Sequence, residues 1–295
     1  VSPAWLTVGS SLAFAAMGVC VKVASAQYSA GEMVFYRSLV GAVVMALLAR
    51  VRGNSLASPV PSMHFWRSAS GVFSLLLWFY ALTGLPLATA MTLNYMSSVW
   101  MALFLIGGAA LVGSGRIDGR LVAAVLMGFA GVALVLRPTV DQQQLWHGLT
   151  GLLSGMLAAT AYLQVIALGK AGEPEERIVF YFSVGGLVVG ALWMLGLGAS
   201  AHTARGLALL LAIGVLATLG QTLMTRAYRI GRTLANASLQ YLGIVFSFMF
   251  GVLLFNDPVT ASAVAGIALI VGAGLYATLL RARQQPAATT PTQDT

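Results

Sequence analysis

Charge is scarce in this chain. Only 8% of its 295 residues are Asp, Glu, Lys or Arg, while 59% are hydrophobic and the mean hydropathy is +0.87. A soluble domain carries about 25% charged residues to hydrate its surface, so this composition excludes a water-facing exterior and places the outer surface against lipid. Length alone suggests about two soluble domains, and lipid overrides that count. The eight acidic residues are Glu32, Asp118, Asp141, Glu173, Glu175, Glu176, Asp257 and Asp294. None falls in the middle of an apolar run, and His64, His147 and His202 also sit in or beside loops. A proton relay or an acidic sodium cage at membrane depth is thereby excluded, which leads us to expect facilitated, gradient-driven movement. Cysteine is nearly absent. The lone Cys20 cannot form an intrachain disulfide and gives no information on redox compartment. There is no GxxxxGK[ST] and hence no ATP motor, and no HExxH or Ser/His pair at membrane depth for an intramembrane hydrolase. No cofactor, metal or catalytic residue is called for, and an enzyme is not expected.

The abundant feature is long apolar runs, roughly 4–24, 32–49, 66–83, 88–111, 119–136, 148–168, 177–197, 206–228, 234–255 and 260–280. A helix rises about 1.5 Å per residue, so about 20 residues cross a hydrocarbon core of about 30 Å. All nine prolines lie outside these runs or at their edges, so helix interiors keep the backbone hydrogen bonds that lipid demands. The expected fold is an all-α membrane protein of ten transmembrane helices. The first run is expected to stay as a span rather than act as a cleaved signal, since no positive charge precedes it and it has a counterpart near 149–168. The polar tail, 284–295, is expected to be disordered.

The chain is also written twice. VFYRSLVGAVV at Val34–Val44 returns as VFYFSVGGLVV at Val179–Val189, identical at seven of eleven positions and offset by 145. We therefore divide it into a first five-helix repeat, 1–138, and a second, 146–283. Five spans is an odd number, so the second copy is expected to be inverted relative to the first. The charges agree with that. Both termini and loops 2–3, 4–5, 6–7 and 8–9 share one side, which collects Arg50, Arg52, Arg67, Arg116, Arg120, Lys170, Arg177, Arg226, Arg229, Arg232, Arg281 and Arg283. The other side has Lys22, Arg137 and Arg205. The positive-inside rule puts the rich side, with both termini, in the cytoplasm of a plasma (inner) membrane protein. Basic residues spread over five segments do not make a nucleic-acid patch; the partners expected are the bilayer and a small-molecule substrate, and no motif specifies an oligomeric state.

Inverted halves facing each other create a cleft near the bilayer midplane that rocking exposes to alternate sides. Candidate lining residues follow from polarity at membrane depth. In the ninth run Asn236, Gln240, Gly243 and Ser247 share one helical face, matched in the fourth by Asn94 and Ser97, and Tyr95 matches Tyr241. Such amides face either a wet cavity or another helix. Thr218, Gln221, Thr222 and Thr225 share a face of the eighth run; hydroxyls can bond the helix's own carbonyls, which leaves Gln221 as the candidate. Trp78, Tyr80, Tyr95, Trp100 and Tyr162 offer aromatic faces for apolar or cationic groups, or pack ordinarily. Trp5, Trp66 and Trp146 at run edges suit the interfacial belt. Arg37, inside the second run, and Lys22, ending the first, are candidates for attracting a substrate carboxylate or closing an outer gate; snorkelling or pairing of Arg37 with Glu32 is the other reading. Arg37 corresponds to Phe182 in the second copy.

The stretch FYALTGLPLATAMTLNYMSSVW (Phe79–Trp100) resembles the third-to-fourth span signature of the drug/metabolite transporter superfamily in its EamA-type ten-span branch. RAYRIGRTLANASLQYLGIVFSFMFGVLLFND (Arg226–Asp257) resembles the corresponding second-half region, and VFYRSLVG with Arg37 the second span. Members commonly have Pro in the middle of the fourth and ninth spans; here Ser97–Ser98 and Gly243 stand nearby. The resemblance implies a plasma-membrane exporter or permease of amino acids and related metabolites, similar to YddG-type exporters of aromatic and other amino acids. The expected function is transport of such solutes by alternating access. The alternatives are a proton-coupled multidrug or metabolite exporter and, from another class, a non-transporting receptor or scaffold. Replacing Arg37 by Gln is expected to reduce transport while membrane expression, read by immunoblot, stays at the wild-type level; unchanged transport removes Arg37 from the site.

Overall fold

The computed structural model describes residues 3–97, 99–101, 103–104, 107, 119–136, 142–230 and 240–284. Asn236, Arg116, Arg137, Arg232 and all but the first residue of the polar tail lie outside them. Ten helices stand among the described residues: α1 (Pro3–Ala24), α2 (Ala30–Val51), α3 (Pro61–Gly84), α4 (Leu87–Tyr95), α5 (Gly119–Leu136), α6 (Gln142–Lys170), α7 (Glu175–Leu197), α8 (Ala204–Ile230), α9 (Leu242–Phe255) and α10 (Ala261–Gln284). Local signals set their ends. Ser29 and Glu32 form a reciprocal capping box at the start of α2. Pro61 opens α3, where its missing N–H costs nothing, and Asn256 closes α9 at φ 50° in the left-handed region.

The distribution of side chains is that of a membrane protein. Trp5, Leu47, Leu192, Leu195, Leu211 and Leu253 are exposed, whereas Ser10, Ser38, Ser74, Thr92, Ser183, Gln221 and Ser247 are buried. In water this arrangement forfeits burial free energy on both counts; in lipid both choices are favourable. Five helical segments are long and apolar enough to cross a bilayer: Pro3–Ala24, Ala30–Val51, Gln144–Lys170, Glu175–Leu197 and Ala204–Arg229. Two of the other expected spans depart from a plain apolar helix: α3 carries Arg67, Ser68 and Ser74 on its buried face, and α4 ends at a turn on Met96 before helical backbone resumes at Ser97. A matching turn falls at Tyr241 immediately before α9. The fourth and ninth runs are thus interrupted at nearly equivalent places without proline.

The halves pack helix against helix: α1 on α8, α2 on α7, α3 on α6, α4 on α9 and α5 on α10. Exchanging the halves turns the α1–α8 pair into the α6–α3 pair and maps the other three onto themselves. At the α2–α7 crossing the contact is reciprocal. Gly41 lies against Ser183, and their repeat equivalents, Gly186 and Ser38, lie against each other. Gly190 approaches the Phe35 backbone so closely that a Cβ there would lie 2.7 Å from Phe35 N and Cα. Small residues let the backbones meet where lipid supplies no hydrophobic drive.

Both ends of the bundle are tied by polar networks. At the arginine-rich end, Arg52 pairs with Glu175 and Glu176, Asn54 donates to Glu176, and Arg229 pairs with Glu175. Buried Glu173 there accepts from His64 (3.1 Å), Arg177 (3.0 Å) and Ser58 (3.0 Å). Burial pushes the Glu173 carboxyl up, but those three hydrogen bonds outweigh it and hold the carboxyl below its ordinary 4.5. At the opposite end Lys22 pairs with Asp257 at 3.1 Å and donates to the Leu85 carbonyl, while Asp257 also accepts from Leu87 N–H. Glu32 bonds Ser29 and Ser200 there, so it does not pair with Arg37.

Two outcomes follow. Gly190→Ala is expected to cost about 1–3 kcal/mol by forcing α2 and α7 apart, read as a lower melting temperature in detergent, with Gly196→Ala, in open space, as the silent control. Glu173→Gln is expected to lower the melting temperature at neutral pH. The native carboxyl titrates below its unfolded value, so its stabilisation is complete above about pH 4.5 and is lost as pH falls through the folded value. The gap between wild type and variant therefore closes on acidification below that point.

Candidate functional site

A cavity of about 70 Å³ sits among α1, α2, α3, α4, α6, α7 and α8, with Gln240 beside the second-half turn. Helical spacing delivers its lining. On α3, Arg67, Gly71, Ser74 and Trp78 recur at i, i+4, i+7 and i+11 and share one face. Met91, Asn94 and Tyr95 do the same on α4, and Ala158, Ala161 and Tyr162 on α6. Arg37 and Phe182 enter from α2 and α7, Phe14 and Met17 from α1, and Gln221 from α8. A larger hollow of about 140 Å³ lies between α4, α9 and α10. Its one charged group, Asp257, is already committed to Lys22 and Leu87 N–H, so the chemistry is in the central cavity.

The geometry around Phe182 is specific. The Arg37 guanidinium lies 5.0 Å from its ring centroid and that of Arg67 4.3 Å. The absence of a side chain at Gly71 makes room for Arg67 Nη1 and the Phe182 edge. Both arginines are buried, at 5% and 2% exposure, and neither makes a hydrogen bond or ion pair with any described residue. An arginine at the middle of a membrane costs about 2.5–3.5 kcal/mol on insertion scales. A cation–π contact offsets roughly 0.5–2 kcal/mol of that, and each orphaned buried donor adds about 1–3 kcal/mol. The cavity is therefore positive and under-bonded.

The remaining polar side chains are better satisfied. Asn94 donates to Ser154 at 3.0 Å, so it both bridges α4 to α6 and lines the cavity. Gln240 accepts from Tyr228 at 3.1 Å, and Tyr228 stacks on Tyr162. Thr218 and Thr222 bond carbonyls of their own helix, while Gln221 faces the cavity.

The structure brings Arg37, Trp78, Asn94, Tyr95, Tyr162, Gln221 and Gln240 together. It separates four other candidates from them. Tyr80 is on the outer face of α3, stacked on His147 at 4.5 Å. Trp100 packs beside Phe104 beyond the α4 turn, and Tyr241 is buried at the second turn without entering the lining. Lys22 is held at the end of the bundle by Asp257. Asn236 lies outside the described residues. Arg37 is part of the central cavity rather than an outer mouth. Arg67, counted among the charges of the arginine-rich side, was missed as a site residue, along with Phe182, Phe14 and Met91. A signal for Arg67 was present: the stripe Arg67, Gly71, Ser74, Trp78 has the same spacing as Asn236, Gln240, Gly243, Ser247.

The model of the EamA-like transporter family matches residues 1–137. The pseudopaline exporter CntI of Pseudomonas aeruginosa is 34% identical over 266 residues, covering 90% of this chain and 92% of that protein. A riboflavin transporter of Brucella anthropi is 25% identical over 91% of this chain and 95% of its own length. A crystal structure superposes with a TM-score of 0.67 at 18% identity, over 94% of this chain and 97% of that one, a likeness of fold alone. With an all-helical membrane fold, a central polar cavity and these relatives, the chain is a transporter rather than an enzyme, and it belongs to the EamA-like transporter family.

Proposed function

We propose that this chain is an alternating-access carrier of small amphipathic solutes of the amino-acid kind, built from two inverted five-helix halves with both termini in the cytoplasm. The observation that carries this reading is the central cavity, where cationic, amide and aromatic groups converge from both halves. A carboxylate matches the guanidiniums, an apolar or aromatic side chain matches Phe14, Met17, Met91 and Trp78, and an amine matches the tyrosine faces. A pseudo-twofold relation of the halves is supported by the helix pairing, which survives their exchange, and by the reciprocal Gly–Ser contacts at the α2–α7 crossing, and their inversion by the odd number of spans in each half and the one-sided arginines. Polar networks tie both ends of the bundle, so exchange of access between the two sides requires one of them to break. The relatives named above carry pseudopaline and riboflavin, and the cavity chemistry, rather than family membership, favours amino-acid-like solutes.

Facilitated movement fits the lining, which contains no carboxylate or histidine among the described residues. The purified protein in liposomes is expected to give saturable flux of labelled apolar and aromatic amino acids, with a plateau that an imposed pH gradient does not move. Accumulation that tracks the pH gradient favours the proton-coupled reading instead. Absence of flux for every solute in the panel favours the scaffold.

A further inference from the structure

The orphaned polar atoms of the cavity share one character. Among buried side-chain atoms without a partner, those in its lining are Arg37 Nε, Arg67 Nε and Nη1, Trp78 Nε1 and Gln221 Nε2. Every one is an N–H donor. A cavity built for water alone mixes donors and acceptors, since each water both gives and takes hydrogen bonds. A cavity for an ordinary zwitterion needs one cation for the carboxylate and a negative or acceptor-rich patch for the ammonium. Here Arg37 and Arg67 both line the cavity, no carboxylate stands among the described lining residues, the Gln240 carbonyl already accepts from Tyr228, and the Ser74 hydroxyl donates to the Ser154 carbonyl.

The arginines are also positioned separately. Arg37 comes from α2 and Arg67 from α3, and each is docked on the ring of Phe182 from α7. Their like charges repel, and no anion among the described residues pairs with either. Sharing one ring places both cations within reach of one small solute. Each guanidinium keeps a planar fork of donors that matches a carboxylate bidentately.

We propose that the carried solute is an organic dianion with two carboxylates, one held by Arg37 and the other by Arg67, and its apolar part against Trp78 and Phe14. This inference rests on the transport reading above and sets a second carboxylate where that reading sets the amine. Arg67 is then a substrate-binding residue of equal standing with Arg37, and Gly71 holds its guanidinium in place.

The test uses purified full-length protein and three probes: 2-phenylsuccinate, 3-phenylpropanoate and phenylalanine. Calorimetry in detergent is expected to give 2-phenylsuccinate at least about tenfold tighter binding than 3-phenylpropanoate, as one added charge-assisted pair implies. Arg67→Gln is expected to abolish that preference while 3-phenylpropanoate still binds, and Arg67→Lys to keep part of it. Equal affinity for the two acids in the wild type overturns the proposal, as does a full preference surviving in Arg67→Gln. Should Arg67→Gln fail to fold, the wild-type comparison alone decides. Liposome flux separates the two readings. Movement of phenylalanine without binding or movement of 2-phenylsuccinate defeats the dianion and leaves the carrier standing. Tight, Arg67-dependent binding of 2-phenylsuccinate without flux of any probe leaves the site and defeats the carrier.

Discussion

Everything at the centre of this molecule depends on how closely α2 and α7 cross. Gly41 against Ser183 and Gly186 against Ser38 let the two backbones approach. That approach brings Arg37 onto Phe182. The same ring then receives Arg67, whose guanidinium fills the space above Gly71. Larger residues at the crossing separate the helices, and the ring no longer reaches both cations. Packing in lipid has no hydrophobic drive of its own, so the placement of charge in the cavity rests on a few glycine and serine contacts.

The ends of the bundle answer a different demand. Acidic residues are few, and the five described are all engaged where they stand: Glu32 in a cap and a loop contact, Asp257 with Lys22, and Glu173, Glu175 and Glu176 in the arginine-rich network. The cavity is left without a carboxylate among its described lining residues. Scarcity of acid therefore does more than keep the exterior apolar. It concentrates uncompensated positive charge at one depth, where any mobile anion that fits gains most.

Much of this is legible in the sequence, for clear reasons. Long apolar runs and excluded prolines mark helices because lipid forbids irregular exposed backbone. Amides at membrane depth mark a cavity because they are costly elsewhere, which is how Asn94, Gln221 and Gln240 were found. Tyr80 and Trp100 lie away from the cavity lining, and counting along a run does not show this because aromatic residues are equally at home facing lipid, a neighbouring helix or a ligand. Arg67 was hidden for another reason. It lies one turn and a half inside α3 near a cluster of loop arginines, so a charge count assigns it to topology and is blind to its helical face. Phe182 carried no polar signal, and its role depends wholly on the tertiary crossing.

Positions 37 and 182 are equivalents in a chain that repeats itself, and in the folded protein they touch. In an assembly of two identical polypeptides, a residue that meets its own counterpart appears twice, so the meeting pair is Arg with Arg or Phe with Phe. The first puts two cations face to face, and the second removes the charge. An Arg–Phe pair at such a place needs the halves to be distinct genes or one continuous chain. The covalent joining of the halves is thus what allows a self-facing position to hold a charge on one side and a ring to carry it on the other. Divergence at a single codon then suffices to tune the centre of the molecule without disturbing the outer helices.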